Sequence, residues 1–193
     1  MSIVLVGSTS GSCTLQEQAV AGNTVLTLPT VSGTILTTGS SGQSIPKAAL
    51  PTGSVLQVVN YYNNGFSIVS TSSTSPTATG IIASITPTAS SSKVLILVSG
   101  TNFYNLTAGG ENYLYVYRQI GGGSYTNPAT NFLQIAGVYG TGANFRASMA
   151  ISYVDSPATT SQCNYQLYLA TNGTGTATFS TPNLSITLLE IAA

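Results

Sequence analysis

Side chains that could do chemistry are scarce in this chain. Among its 193 residues there are four basic and four acidic residues, and there is no histidine. Without an imidazole, neither Ser-His-Asp nor Cys-His catalysis can be assembled. Paired carboxyl groups could still support general acid and base chemistry, as in glycoside hydrolysis. The residues that could supply them are Glu17, Glu111, Asp155 and Glu190.

Three of these carboxylates have a simpler structural interpretation. Glu111, in "AGGEN", and Asp155, in "VDSPATT", stand at turn-like positions. Glu190 lies in the last apolar segment, where we expect it to pair with Arg118 or Arg146. We therefore predict that the protein is not an enzyme.

The sequence also predicts no metal ion and no cofactor. Cys13 and Cys163 are far apart in the chain and have no histidine to complete a zinc site. We expect two unpaired thiols, with a bridge between them as the alternative. The "GTG" and "GGGS" stretches lack the lysine of a phosphate-binding loop, so we interpret them as hairpin turns.

Composition excludes several classes of partner. Only 4% of the residues are charged and the formal net charge is zero, whereas about a quarter of residues are charged in an ordinary soluble domain. Nucleic acids and anionic membranes are recognised by clustered Lys and Arg, which are missing here. We predict no nucleic-acid binding.

The chain is nevertheless expected to fold and to associate. Hydrophobic residues make up 42% of it, which disfavours disorder. No run approaches the roughly 20 apolar residues of a membrane span, and the start carries no secretory signal. We therefore expect synthesis in the cytoplasm without membrane insertion. A neutral surface promotes association, which is typical of a subunit of an assembly.

Strand patterns dominate the sequence and helix patterns are nearly absent. Alternating β-branched and aromatic residues are separated by turn clusters such as "NNG" and "NGTG", as in an antiparallel sandwich or jelly roll. The predicted strands are Val55–Asn60, Phe66–Ser70, Gly80–Thr86, Lys93–Tyr104, Tyr113–Ile120, Phe132–Val138, Asn144–Val154, Tyr165–Ala170, Thr174–Phe179 and Leu184–Ile191.

The segment "NYLYVYRQI" has an unusual pair of faces. Side chains alternate with period two along a strand, so Tyr113, Tyr115 and Tyr117 share one face, while Leu114 and Val116 share the other. Neither face is plainly polar, as the outer sheet of an isolated monomer would be. This pattern favours a surface that meets a partner.

The first fifty residues differ from the rest, because short apolar groups are interrupted by Gly, Pro, Ser and Thr. Two isolated short strands are marginal in water. We expect neighbouring copies of the chain to complete them, as in a trimeric shaft. We predict an attachment or shaft segment over 1–52 and a β-sandwich head over 53–193. The residues predicted to pack in the trimer are Val25, Leu26, Leu28, Ile35 and Leu36.

Tyrosines provide the candidate binding residues. The chain has 11 of them, and their flat rings and hydroxyl groups suit neutral sugars. The alternative is that they only tile sheet faces and subunit contacts. The tyrosines near loops that we select as candidate glycan contacts are Tyr104, Tyr125 and Tyr139.

The order of several segments carries a family resemblance. The stretch "GSTSGSCTLQEQAVAGNTVLTLPTVSGTILTTGSSGQSIPKAALPTGSVLQVV" resembles the low-complexity linker and shaft of structural proteins of tailed bacteriophages, particularly tail-fibre-like proteins of phages that infect aquatic bacteria. It is followed by "TGIIASITPTASSSKVLILVSG", "YVDSPATTSQCNYQLYLA" and "LSITLLEIAA", which are similar to the globular domain that usually follows that segment.

The resemblance implies a homotrimeric virion appendage, assembled in the host cytoplasm, with a β-structured C-terminal head and an N-terminal part that attaches to capsid or tail proteins. Because the shaft is short, a short tail fibre, a head fibre and a capsid decoration (cement) protein all remain open. The rival interpretation is a receptor-binding module of a tail fibre that recognises a host cell-surface glycan.

Overall fold

The computed structural model describes residues 3–6, 12–15, 50–63, 65, 68–128, 134–140, 146–180 and 183–193. The chain divides into two compact units, Met1–Ser44 and Ile45–Ala193. The predicted head boundary, between residues 52 and 53, stays a prediction. The predicted shaft residues lie outside the described residues; they are Val25, Leu26, Leu28, Ile35 and Leu36.

In the first unit, two four-residue strands pair antiparallel. Strand β1 is Ile3–Val6 and strand β2 is Ser12–Leu15. Ile3 lies opposite Leu15, and Val6 lies opposite Ser12. These strands were not expected from the sequence, because four residues such as "IVLV" or "SCTL" are too short a pattern to distinguish a strand from the other short apolar groups of this segment.

The described part of the second unit consists of strands, turns and extended connections, with no helix. The all-β class expected from the sequence is therefore confirmed for these residues. The strands are β3 (Val55–Asn63), β4 (Ile68–Thr71), β5 (Thr77–Ile85), β6 (Lys93–Tyr104), β7 (Glu111–Ile120), β8 (Gln134–Tyr139), β9 (Ala147–Asp155), β10 (Cys163–Thr171), β11 (Ala177–Ser180) and β12 (Leu184–Ile191).

The strands of this unit form two antiparallel sheets. The four-stranded sheet has the order β5-β10-β7-β8. The six-stranded sheet has the order β3-β12-β6-β11-β4, and β9 pairs with the other edge of β6. Since β3 pairs with β12 and β4 pairs with β11, β3 and β4 lie in one line and β11 and β12 lie in another. We call such a line a track, and with β6 and β9 the six-stranded sheet has four tracks. The arrangement is that of a β-sandwich.

One hydrophobic core lies between the two sheets. Both sheets contribute to it because each places every second side chain inward. The four-stranded sheet contributes residues such as Ile81, Leu114, Leu167 and Leu169. The six-stranded sheet contributes residues such as Ile96, Phe103, Phe179, Ile186 and Leu188. The rings of Phe103 and Phe179 meet edge to face, with centroids 6.2 Å apart, a favoured aromatic geometry.

Strand β5 contains a bulge that reaches the outer face of its sheet. Its pairing with β10 shifts between Gln166 and Tyr168. Gly80 lies in the bulge with φ 77°, a left-handed conformation that a glycine adopts without a steric penalty. The neighbouring Thr79 hydroxyl donates to the Leu167 carbonyl at 2.7 Å. The bulge thus ends the regular ladder beside Tyr168.

Candidate functional site

The carboxylate of Asp155 is used to join the two sheets. It lies at the end of β9, is only 3% exposed, and accepts two hydrogen bonds of 2.8 Å from Nη1 of Arg118 in β7. The hydroxyl of Tyr165, in β10, donates to the same carboxylate at 2.7 Å. Burial and the nearby Asp155 carboxylate raise the pKa of Tyr165 strongly, so this hydroxyl stays protonated and donates. We call these three residues the sheet clamp.

The carboxylate of Glu190 is also bound by hydrogen-bond donors of the fold. It is fully buried near the end of β12 and accepts hydrogen bonds from the Thr88 amide (2.6 Å), the Thr88 hydroxyl (2.7 Å) and Nε2 of Gln57 (2.7 Å). The expectation that Glu190 pairs with Arg118 or Arg146 is wrong. Arg118 belongs to the sheet clamp, and the guanidinium of Arg146 lies 4.4 Å from the centre of the Tyr104 ring.

Burial acts to raise the pKa of Glu190, but the hydrogen bonds from Ser92, Thr88 and Gln57 outweigh it and lower that pKa below its ordinary value. A carboxylate satisfied in this way is stabilised as a charge. It therefore ties together the edge strand β3, the connection between β5 and β6, and β12.

The remaining described candidates for chemistry have structural partners as well. The Glu111 carboxylate accepts a short hydrogen bond from the Tyr113 hydroxyl. Cys163 is an unpaired, buried thiol whose pKa is raised by burial, which disfavours the reactive thiolate. Among the described residues, no group of three or more Cys, Asp or Glu side chains could hold a metal ion.

The outer face of the four-stranded sheet carries a cluster of tyrosines, which we call the tyrosine face. Tyr113, Tyr115 and Tyr117 point outward from β7, as their alternation predicted, and Tyr115 lies opposite Tyr168 of β10. The rings of Tyr117 and Tyr168 stack with centroids 4.2 Å apart, and Tyr115 meets Tyr117 edge to face at 6.5 Å. Desolvation raises the pKa of both Tyr115 and Tyr168.

A groove of about 470 Å³ lies over this face. Its size falls within the range of small-molecule and cofactor pockets. Besides three tyrosines of β7, it is lined by residues from two connections and from the end of β10: Thr74, Pro76, Asn127, Thr171 and Asn172.

The tyrosines selected from the sequence are not brought to one place. The ring centroids of Tyr125 and Tyr168 are 6.0 Å apart, so Tyr125 lies at the edge of the tyrosine face. Tyr104 ends β6 in the other sheet, under Arg146. Tyr139 ends β8 and is 60% exposed. The glycan role of these three residues stays a prediction. The sequence signal for the groove was the tyrosine alternation in β7. Tyr168 gave no such signal, because it joins these tyrosines only through the pairing of β7 with β10, which is distant in sequence.

The outer face of the six-stranded sheet has a different chemistry. Three adjacent cross-strand rows occupy most of it, next to a row of Val55, Ile191 and Lys93. One row is apolar throughout and runs Val58, Leu189, Leu95, Val154; we call it the apolar row. Val58 is 59% exposed and Val154 is 51% exposed. The other two rows run Asn60, Thr187, Leu97, Ser152 and Tyr62, Ser185, Ser99, Ala150.

These twelve positions carry no charge, and two pairs of their polar groups bond to each other. Nδ2 of Asn60 donates to the Thr187 hydroxyl at 2.7 Å, and the hydroxyls of Ser99 and Ser185 lie 2.8 Å apart. An exposed sheet area that carries no charge across three rows, with Lys93 in the adjacent row, suits contact with another protein surface.

Comparisons with known proteins add no identification: no protein-family model matches the chain, and a search of curated proteins finds no match. Within the described residues there is also no helix of the length and hydrophobicity that a membrane-spanning helix needs.

Proposed function

We propose that this protein is a non-enzymatic structural component of a bacteriophage particle. In this proposal it forms a homotrimeric fibre or decoration protein that docks to capsid or tail proteins through its N-terminal segment. The β-sandwich head projects outward, and the protein resides in the virion after assembly in the host cytoplasm. The basis is the sequence resemblance to tail-fibre-like proteins together with the architecture of the head.

The path of the chain through the head supports a jelly-roll description. Taking β3 with β4, and β11 with β12, as single tracks, the chain visits the six-stranded sheet, then β5, then β6, then β7 and β8, then β9, then β10, and then the six-stranded sheet again. Jelly rolls of this kind recur in viral capsid proteins and lectins. The topology is compatible with both a structural head and a sugar-binding one.

The apolar row is the observation that carries the assembly role. Val58 and Val154 expose about half or more of their surface, and Leu95 and Leu189 lie between them in the same row. Burying exposed apolar area stabilises an interface by roughly 25 cal/mol for each Å². A row of four such side chains across a whole sheet face therefore favours association.

Charge argues that the partner is another copy of the same chain. The twelve positions of the three rows are neutral and the adjacent row carries one charge, on Lys93, so like faces meet with little repulsion between equal charges. The formal net charge of the chain is also zero, which removes long-range repulsion between copies. Closed cyclic symmetry, here with three copies, would bury the row on every subunit.

Val58→Asp tests the proposal directly. Light scattering of the wild-type protein should give three times the 19.7 kDa mass of one chain, and the variant should give one. Placing a carboxylate in a buried apolar contact costs several kcal/mol when it stays unpaired. The matched control, Thr160→Asp, adds the same charge at an exposed loop position and should leave the trimer intact. A wild-type monomer would overturn the proposal.

The N-terminal segment provides a second arm of the same test. Leu26→Asp and Leu36→Asp should also disrupt the trimer and lower the amount of protein found on purified particles. Electron microscopy with a labelled antibody then locates the protein on capsid or tail. Normal trimers and normal incorporation in both variants would contradict the role of this segment.

A further inference from the structure

The groove over the tyrosine face has an aromatic floor. Tyr113, Tyr115 and Tyr117 follow one another on the same side of β7, so their Cα atoms span roughly 13 Å at about 3.3 Å per residue. Tyr113 lies opposite the small Ala170 of β10, and Tyr117 is backed by the stacked Tyr168. This floor presents flat rings in a fixed row.

Backbone hydrogen bonds hold two of the groove's borders. The connection that carries Thr74 and Pro76 is tied to the end of β10 by the Thr171 amide, which donates to the Ser73 carbonyl at 2.9 Å. The segment that carries Asn127 is tied to β7 by two backbone hydrogen bonds between Arg118 and Thr126, of 2.8 and 2.9 Å. Both borders are therefore positioned before any ligand arrives, which lowers the entropic cost of binding.

Asn172 fixes a third border. Its Oδ1 accepts from the Glu111 and Thr174 amides at 3.2 and 3.0 Å, and its Nδ2 donates to the Gly109 carbonyl at 2.9 Å. The amide is thus occupied by the protein, and Asn172 acts as a positioning residue. It holds the turn after β10 against the loop that precedes β7.

The lining of the groove is uncharged and rich in hydroxyl groups. Its residues are tyrosine, threonine, asparagine and proline. The hydroxyls of Tyr115 and Tyr117 make no hydrogen bond to another described residue, so they can serve a ligand. At one end of the groove the Glu111 carboxylate accepts a hydrogen bond from the Tyr113 hydroxyl. A negative charge at that end disfavours an anionic ligand.

We propose that this groove binds a neutral carbohydrate chain. The tyrosine rings offer surfaces on which the apolar faces of sugar rings pack, and the hydroxyls offer donors and acceptors for sugar hydroxyls. The open groove accommodates a segment of a longer chain rather than an enclosed small molecule. The site goes beyond the assembly role proposed above and uses residues of the opposite sheet.

The test is binding of short neutral oligosaccharides to the wild-type protein, measured by calorimetry. A panel of neutral glucans, mannans, galactans and rhamnans is compared with oligosaccharides that contain uronic acids. We expect binding to at least one neutral oligosaccharide, weaker or absent binding of the acidic ones, and a loss of about tenfold in affinity for Tyr117→Ala. Tyr113→Phe, which removes only the hydroxyl bonded to Glu111, should cause a smaller loss.

Matched variants separate a groove effect from general damage. Tyr139→Ala removes an exposed tyrosine that does not line the groove, and it should keep wild-type affinity. Each variant is also checked for its unfolding temperature and for its mass by light scattering, so failure of assembly and failure of the groove are distinguished. The proposal is overturned if no neutral oligosaccharide binds, if the acidic ones bind more tightly, or if Tyr139→Ala loses as much affinity as Tyr117→Ala.

Discussion

The two outer faces of this sandwich follow the same alternation and yet differ in what they present to the surroundings. The four-stranded sheet shows stacked tyrosines and a groove of about 470 Å³. The six-stranded sheet shows the apolar row and short hydroxyl side chains that bond to each other. Both faces carry a groove of similar volume, about 440 Å³ on the six-stranded sheet, but only the groove of the four-stranded sheet is lined by tyrosines, whereas the other is lined by small and medium-sized side chains.

This difference teaches that a buried inner face does not determine the role of the outer one. In both sheets the described inward positions are mostly filled by Leu, Ile and Val, with Phe103 and Phe179 in the six-stranded sheet, since any sandwich requires an apolar inner face. The outward positions are free of that requirement, so their chemistry reports on contacts outside the domain. On this basis we propose copies of the chain as the partner of the six-stranded face and carbohydrate as the ligand of the four-stranded face.

The largest predicted effect comes from Asp155→Ala, which removes the acceptor at the centre of the sheet clamp. Arg118 and the Tyr165 hydroxyl are then left without their partner, and breaking a buried ion pair on one side costs about 3–5 kcal/mol. Urea unfolding should show this loss in the free energy of unfolding. Because the clamp joins the two sheets, both assembly and sugar binding should weaken together.

The control for that comparison is Glu111→Gln, which changes a carboxylate outside the clamp and should leave the free energy of unfolding within about 1 kcal/mol of wild type. A loss below 1 kcal/mol for Asp155→Ala would contradict the clamp. Unequal damage to the two faces would show that each sheet holds its outer surface without help from the other.

A smaller effect is expected from pH, with one contribution in the acidic range and another in the alkaline range. The lowered pKa of Glu190 means that its contribution is present above the unfolded pKa of about 4.3 and is lost as pH falls through the folded value. The tyrosines affect stability in the alkaline pH range instead. Since desolvation raises the pKa of Tyr115, Tyr125 and Tyr168, their contribution is present below pH 10 or so and is lost as pH rises further.

Glu190→Gln tests the acidic half of this statement. At neutral pH it should lower the free energy of unfolding by about 1–3 kcal/mol, because buried donors from Thr88 and Gln57 lose a charged acceptor. The difference from wild type should shrink as pH falls below about 4, and it should not change between pH 7 and 9. Urea titrations at several pH values would measure it, and a constant difference down to pH 2 would refute it.

The smallest effect is predicted for Ser99→Ala on the six-stranded face. The substitution removes one hydroxyl from the pair with Ser185, which contributes about 1 kcal/mol or less at an exposed position. Trimer mass should be unchanged, since the apolar row is untouched. Dissociation of the trimer in this variant would indicate that hydrogen bonds, rather than apolar burial, drive association through this face.

Much of the fold could be predicted from local pattern. The ten strands expected after residue 53 all occur, and β6 and β12 have the predicted bounds. Their strong alternation is decisive, because one face of each is buried and a shift by one residue would expose it. Strands β1 and β2 were missed, since four residues offer too few alternations to be recognised.

Side-chain partnerships were harder to predict because they depend on which strands become neighbours. Glu190 was expected to bond to an arginine, but the fold places it next to Thr88 and Gln57 instead. Tyr168 could not be connected with Tyr115 until β10 and β7 were known to pair. Proximity to loops, which led to Tyr104 and Tyr139, is a weaker guide than a shared sheet face.

The pairing of β3 with β12 determines where the chain enters the head and in which direction the long strands extend from that point. The Gly53 amide donates to the Ala192 carbonyl at 2.8 Å, so the chain enters the head beside its last residues. From there β3 and β4 run to the far end, where the Thr74 and Pro76 connection borders the groove. The twelve residues of β6 run in the same direction and cover roughly 36 Å at about 3.3 Å per residue. The groove over the tyrosine face therefore lies toward the end of the sandwich opposite to the end at which the chain enters β3.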